Sequence, residues 1–176
     1  MTLEFSKGFN EVLKREEERR QVERLEERLS SAMNDLKIAL RAMVPHNKML
    51  KQQLKYPEKA SGEEASKALT ATGELGRGFM SRYGDVLKPN LEDGNSTWNI
   101  IYANRFLKIK LQVCKQGIEV YEKEIRMYYR ACAEARILNE EQLNTVKLQL
   151  VDGGVDMNKQ DDGKPFSWRA FGRALF

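Results

Sequence analysis

The chain of 176 residues has little of what most catalytic and metal chemistry uses: one histidine, two cysteines, four prolines and twelve glycines. His46 follows Pro45 with no carboxylate beside it, so it reads as a solvent-facing or capping residue. Zinc needs about four ligands in spacings such as C-x-x-C, and none exists here. Cys114 and Cys132 fall on apolar positions of one predicted helix, where a thiol behaves as a small buried hydrophobe. Eighteen residues of helix would hold them about 27 Å apart, far beyond disulfide reach. Reduced thiols fit an intracellular protein. The first thirteen residues carry no long apolar run of a secretory signal. No run of 18 apolar residues exists either, which excludes a transmembrane helix by length.

The glycines at 73, 76 and 78 lack the strand and the order of a phosphate-binding loop, and residues 152–162 do not follow the calcium-loop pattern. The carboxylates sit among Arg and Lys on helix surfaces, so paired-acid hydrolysis has no support. The reading is therefore non-enzymatic, with no catalytic residue, no cofactor and no metal. Few Pro and Gly with abundant Glu, Arg, Lys, Leu and Ala indicate long helices. Disorder is disfavoured because 30 basic and 26 acidic residues nearly cancel, at +4.

What is present is helical periodicity. Residues 14–28 hold six basic and six acidic side chains, with pairs such as Glu11–Arg15 and Glu16–Arg20 four apart. Val22, Leu25, Leu29, Ala32, Leu36, Ala39 and Met43 then alternate spacings of three and four, a heptad seam. Pro45 is expected to end or kink this helix, since it disfavours the helical state of Val44. A shorter helix is expected over 47–56, and another after the Ser61/Glu64 capping pair. That helix has a face of small residues, Ala68, Thr72 and Gly76, which lets another helix approach closely. After a turn over 88–95, one helix of about 60 Å is expected over 96–138. Its seam runs Ile100, Asn104, Leu107, Leu111, Cys114, Ile118, Tyr121, Ile125, Tyr128 and Cys132. Beside it lies a second apolar edge, Phe106, Val113, Gly117, Val120 and Met127. The helical period continues or restarts at Asn139 and stops at Gly153–Gly154. Residues 155–165 read as a polar, acidic, flexible connector.

These patterns predict an all-α fold, an elongated antiparallel bundle or coiled coil. Residues 1–28 form a projecting charged N-terminal arm, 29–151 the helical core, and 152–176 an acidic linker with an aromatic C-terminal docking segment. Two apolar seams need partner helices. Candidate docking residues are Phe5 and Phe9 in the arm and Trp168, Phe171, Leu175 and Phe176 in the tail, since aromatics dominate binding hot spots. Two acid-free stretches carry Lys48, Lys51 and Lys55, and Arg105, Lys108 and Lys115, candidate basic faces. The expected function is a structural or assembly subunit with protein partners or self-association, in the style of an accessory subunit or a phage virion component. A nucleic-acid-binding accessory protein using the basic faces is the first alternative. A membrane-surface helical protein is the second. No residue pattern identifies a family, and none points to a small-molecule substrate.

Overall fold

In a computed structural model, residues 3–88 and 96–161 are described. Residues 89–95 of the predicted turn, and the tail with Trp168, Phe171, Leu175 and Phe176, lie outside them. Among the described residues five α-helices follow one another: α1 (Leu3–Lys55), α2 (Gly62–Leu87), α3 (Ser96–Ala103), α4 (Arg105–Glu134) and α5 (Glu140–Asp152). A single 3-10 turn, Pro57–Lys59, links the first two. The described residues contain no strand. The fold is all-helical, and no described helix is long and apolar enough to cross a membrane.

The seam of α1 is its buried side: Leu29, Ala32, Leu36, Ala39 and Met43 all enter the core, while Val22 and Leu25 pack partly against it. The expected break at Pro45 does not occur, and α1 runs on to Lys55. Proline gives up one backbone donor, but Val44 and Pro45 lie on the exposed side, where water can replace the lost bond. Met43 and Leu50, on either side of it, are anchored in the same core. Burial of both flanks outweighs the local preference, and the segment expected over 47–56 is the last part of α1.

Arg28 near the middle of α1 grips Asp85 near the end of α2, one contact at 2.8 Å, and also reaches the Arg82 carbonyl. Gln53, at the far end of α1, donates to Glu64 at the start of α2 at 3.0 Å. The two helices therefore run in opposite senses. The Ser61 hydroxyl accepts from the Glu64 N–H, as expected, but the Ser61 N–H goes to Gln53 Oε1 at 2.6 Å rather than to Glu64. One glutamine thus supplies both the missing half of the cap and the α1–α2 contact. Against α1, α4 runs in the same sense. Lys110 meets Ser30 and Glu26, and fourteen residues on Glu124 accepts from Asn47.

The single helix expected over 96–138 is two, α3 and α4. Asn104, assigned to the seam by its spacing, has extended backbone (φ −108°, ψ 117°), and its Oδ1 accepts the N–H groups of Phe106 and Leu107 at 3.0 and 3.2 Å. It is the N-cap of α4, because an asparagine side chain competes well for unpaired first-turn donors. Asn104→Ala should lower stability by about 1 kcal/mol in urea denaturation, and Asn104→Asp should leave it nearly unchanged. At the other end α4 closes at Arg136, whose φ of 57° lets Ile137 N–H reach back to Cys132 and Arg136 N–H to Ala133. The helix restarts with Asn139 as the cap of α5, paired reciprocally with Gln142 in a capping box. Gly154, at φ 93°, ends α5 with the same pattern of backward bonds.

The small-residue face of α2 does what its composition suggests. Ala68, Thr72 and Gly73 are buried, Gly73 under Leu150 of α5 and Gly76 under the ring of Tyr121 from α4. Thr70 donates to Gln149 at 2.9 Å and Arg77 pairs with Asp152, so α2 and α5 run in the same sense.

Candidate functional site

Three regions bear on function: the free half of α1, the α3–α4 corner, and the contact of α4 with residues 153–161. In the first, every described side chain from 7 to 20 is exposed. Only local ion pairs support it, such as Arg19 with Glu16 and Glu23 at 2.9 and 2.7 Å. Phe9, Val12 and Leu13 stand 57%, 56% and 52% exposed on adjacent turns. Phe5 lies in the backbone of α1, but its side chain is outside the described ones.

The predicted basic residues do not form one surface. Lys48, Lys51 and Lys55 are exposed on the last turns of α1. Arg105, Lys108 and Lys115 lie on α4, whose Cys114 reaches the Leu29 carbonyl of α1. Lys48 is nineteen residues beyond Leu29 along α1, roughly 28 Å away at the helical rise.

At the α3–α4 corner the basic residues meet aromatics that the sequence reading had not joined to them. Trp98 and Tyr102, four apart on α3, stack with centroids 4.8 Å apart and an interplanar angle of 15°. Lys115 Nζ sits 4.3 Å from the Trp98 ring centre and Lys108 Nζ 5.8 Å from that of Tyr102. Each lysine thus lies within cation–π reach of one ring of the stacked pair. Tyr102 remains 48% exposed and Phe106, in the first turn of α4, 73%. The second apolar edge is thus covered only in its middle: Gly117 and Val120 are buried, Phe106 and Met127 are not. The break at Asn104 creates this corner, which is why a continuous-helix reading could not assemble it.

The third region was read as a flexible acidic connector. Residues 153–161 have no helix or strand, but they are held. Val155 and Met157 are buried in the core. Arg126, only 1% exposed, donates from Nε and Nη2 to the two carboxylate oxygens of Asp161 at 3.1 and 2.9 Å, and from Nη1 to the Asp156 carbonyl at 3.1 Å. Arg130 adds a contact to Asp161 at 3.2 Å and another to the Lys159 carbonyl at 2.6 Å. Hydrogen bonding to Arg126 holds the Asp161 carboxyl below its ordinary value, whereas burial raises that of Glu122, 3.7 Å from Arg126. The signal in the sequence was the spacing of Glu122, Arg126 and Arg130, four apart on a face otherwise polar, opposite an acid-rich stretch.

The cysteines are free and buried, and burial pushes their thiols up to about 12 for Cys114 and about 11 for Cys132. Such thiols stay protonated and unreactive. His46 lies within α1, partly buried, one residue beyond the proline. Among the described residues no group of three His, Cys, Asp or Glu side chains converges. Comparison of the chain with family models, curated proteins and solved structures returns no match.

Proposed function

We propose that this protein is a non-enzymatic structural or assembly subunit, one that joins a larger complex through coiled-coil helices and terminal docking segments. A virion component or an accessory subunit of a large complex fits that description. The observation that carries the reading is the free half of α1. This stretch extends the packed part of α1, so it needs no nucleation of its own, and local ion pairs support it. It carries three large apolar side chains, Phe9, Val12 and Leu13, each more than half exposed among the described residues. A partner laid on that face would supply the missing burial; Phe9, Val12 and Leu13 lie outside the register of the Val22–Met43 seam and form a patch of their own. In this reading Trp168, Phe171 and Phe176, with the aliphatic Leu175, form a second docking segment.

Light scattering and sedimentation velocity across a concentration series test this. Self-association, or recovery of a discrete partner from native extract, is expected for the intact chain. Phe9→Glu with Leu13→Glu should abolish or weaken that association at least tenfold without lowering helix content in the core. Deleting residues 166–176 should have a separate effect. A chain that stays monomeric, recovers no partner and ignores both changes would overturn the proposal.

A further inference from the structure

We infer that the α3–α4 corner binds single-stranded nucleic acid, with a base stacking on Tyr102. Two observations support it. The first is the stack itself: Trp98 and Tyr102 are already parallel at 4.8 Å, so the phenol ring is fixed by an indole behind it. Tyr102 is 48% exposed, and the Lys108 ammonium stands 5.8 Å from its ring centre on an exposed side chain. A base can take that position while the lysine swings to a phosphate, which exchanges a loose cation–π contact for a stack plus an ion pair. The second is charge. No acid occurs between Asp93 and Glu119, and of the α1 carboxylates that approach this helix Glu26 is held by Lys110 at 3.3 Å. Arg105, Lys108 and Lys115 therefore present a local cationic surface along about 15 Å of helix, long enough for more than one phosphate. Cations beside an exposed ring are how single strands are bound without sequence preference. An acidic protein helix would use the charge but has no need of a pre-stacked ring.

The test is fluorescence anisotropy with labelled oligothymidylate and oligouridylate, against an abasic polyanion of equal length. Saturable binding is expected at low salt, with a log–log salt slope of about −2 for three neutralised phosphates on a single strand. Tyr102→Ala should weaken it about tenfold, within the range for one base–aromatic stack. Arg105→Glu with Lys108→Glu should weaken it further. The chain has two tryptophans, so Trp168→Phe isolates Trp98, whose emission should be quenched on binding. No saturable binding at about 50 mM salt would overturn the inference. So would equal affinity for the abasic polyanion, which would mark a surface for an acidic protein. If Tyr102→Ala disturbs α3, the charge-reversal pair at two exposed positions decides: unchanged affinity overturns the inference.

Discussion

Arg126→Met should destabilise the protein by about 3 kcal/mol, the lower end of the cost of breaking a buried ion pair from one side. Methionine fills much of the arginine's volume, so the loss reports charge and hydrogen bonding rather than a cavity. Three donors disappear, and the Asp161 carboxylate and Asp156 carbonyl lose their partners in a place largely closed to water. The cost stays at the lower end because Arg130 still reaches Asp161 at 3.2 Å. Arg126→Lys should fall between, since an ammonium keeps the charge but not the two-point grip. Arg130→Ala, with a side chain 36% exposed, should cost about 1 kcal/mol. Urea denaturation measures all three, and limited proteolysis reports cleavage within 153–161 once Val155 and Met157 lose their hold. If Arg126→Met stays within about 1 kcal/mol of the parent, the two arginines do not secure this segment.

The same contact sets an acid limb with a definite sign. Asp161 has its carboxyl lowered from an ordinary value of 3.8, so its contribution is complete above that value and is lost as pH falls through the lower, folded one. Glu122 is raised from 4.5 by burial and acts in the opposite direction. Its charge costs the fold at neutral pH, and protonation relieves that cost as pH falls through its raised value. Stability should therefore hold or rise slightly on mild acidification, then drop steeply below about pH 4 as Asp161 is neutralised. In Arg126→Met the steep part of the drop should flatten.

The parts legible in the sequence were those set by local chemistry or by unbroken periodicity. The seam from Leu29 to Met43, the Ser61 cap and the small-residue face of α2 are each a pattern of neighbours. What periodicity concealed were competitions between local and tertiary terms. At Pro45 a local breaker lost to burial on both sides. At Asn104 a spacing that fitted the seam lost to a side chain better used as a cap, and with that bend the Trp98–Tyr102 corner came into being. Residues 153–161 carry no period at all. Their order comes from two arginines about thirty positions earlier, a long-range pairing that no window of sequence displays. Gly76 lies between these cases, because its smallness was visible but the ring that fills the space was not.

That ring leads to an expected reversal of sign within one helix. Gly78→Ala should stabilise the protein by about 0.5–1 kcal/mol, because alanine is the better helix former and its Cβ would meet nothing within 4 Å. Gly76→Ala, two residues earlier, gains the same propensity but should be destabilising by about 2 kcal/mol. Its Cβ would fall 2.5 Å from Tyr121 Cε1 and 2.9 Å from both Cζ and Oη. The phenol is buried in the core and donated to by the Gly76 N–H at 2.8 Å, so it cannot turn aside without giving up that bond. Overpacking of this kind costs about 1–3 kcal/mol, and the broken hydrogen bond adds about 1 more, which together exceed the propensity gain. Tyr121→Leu removes the colliding ring. In the double variant the Gly76→Ala penalty should shrink well below its value in the parent, a coupling that urea denaturation resolves through a double-mutant cycle. If Gly76→Ala instead stabilises as much as Gly78→Ala, Tyr121 is not wedged against α2, and the close approach of α4 to the small-residue face is looser than its distances indicate.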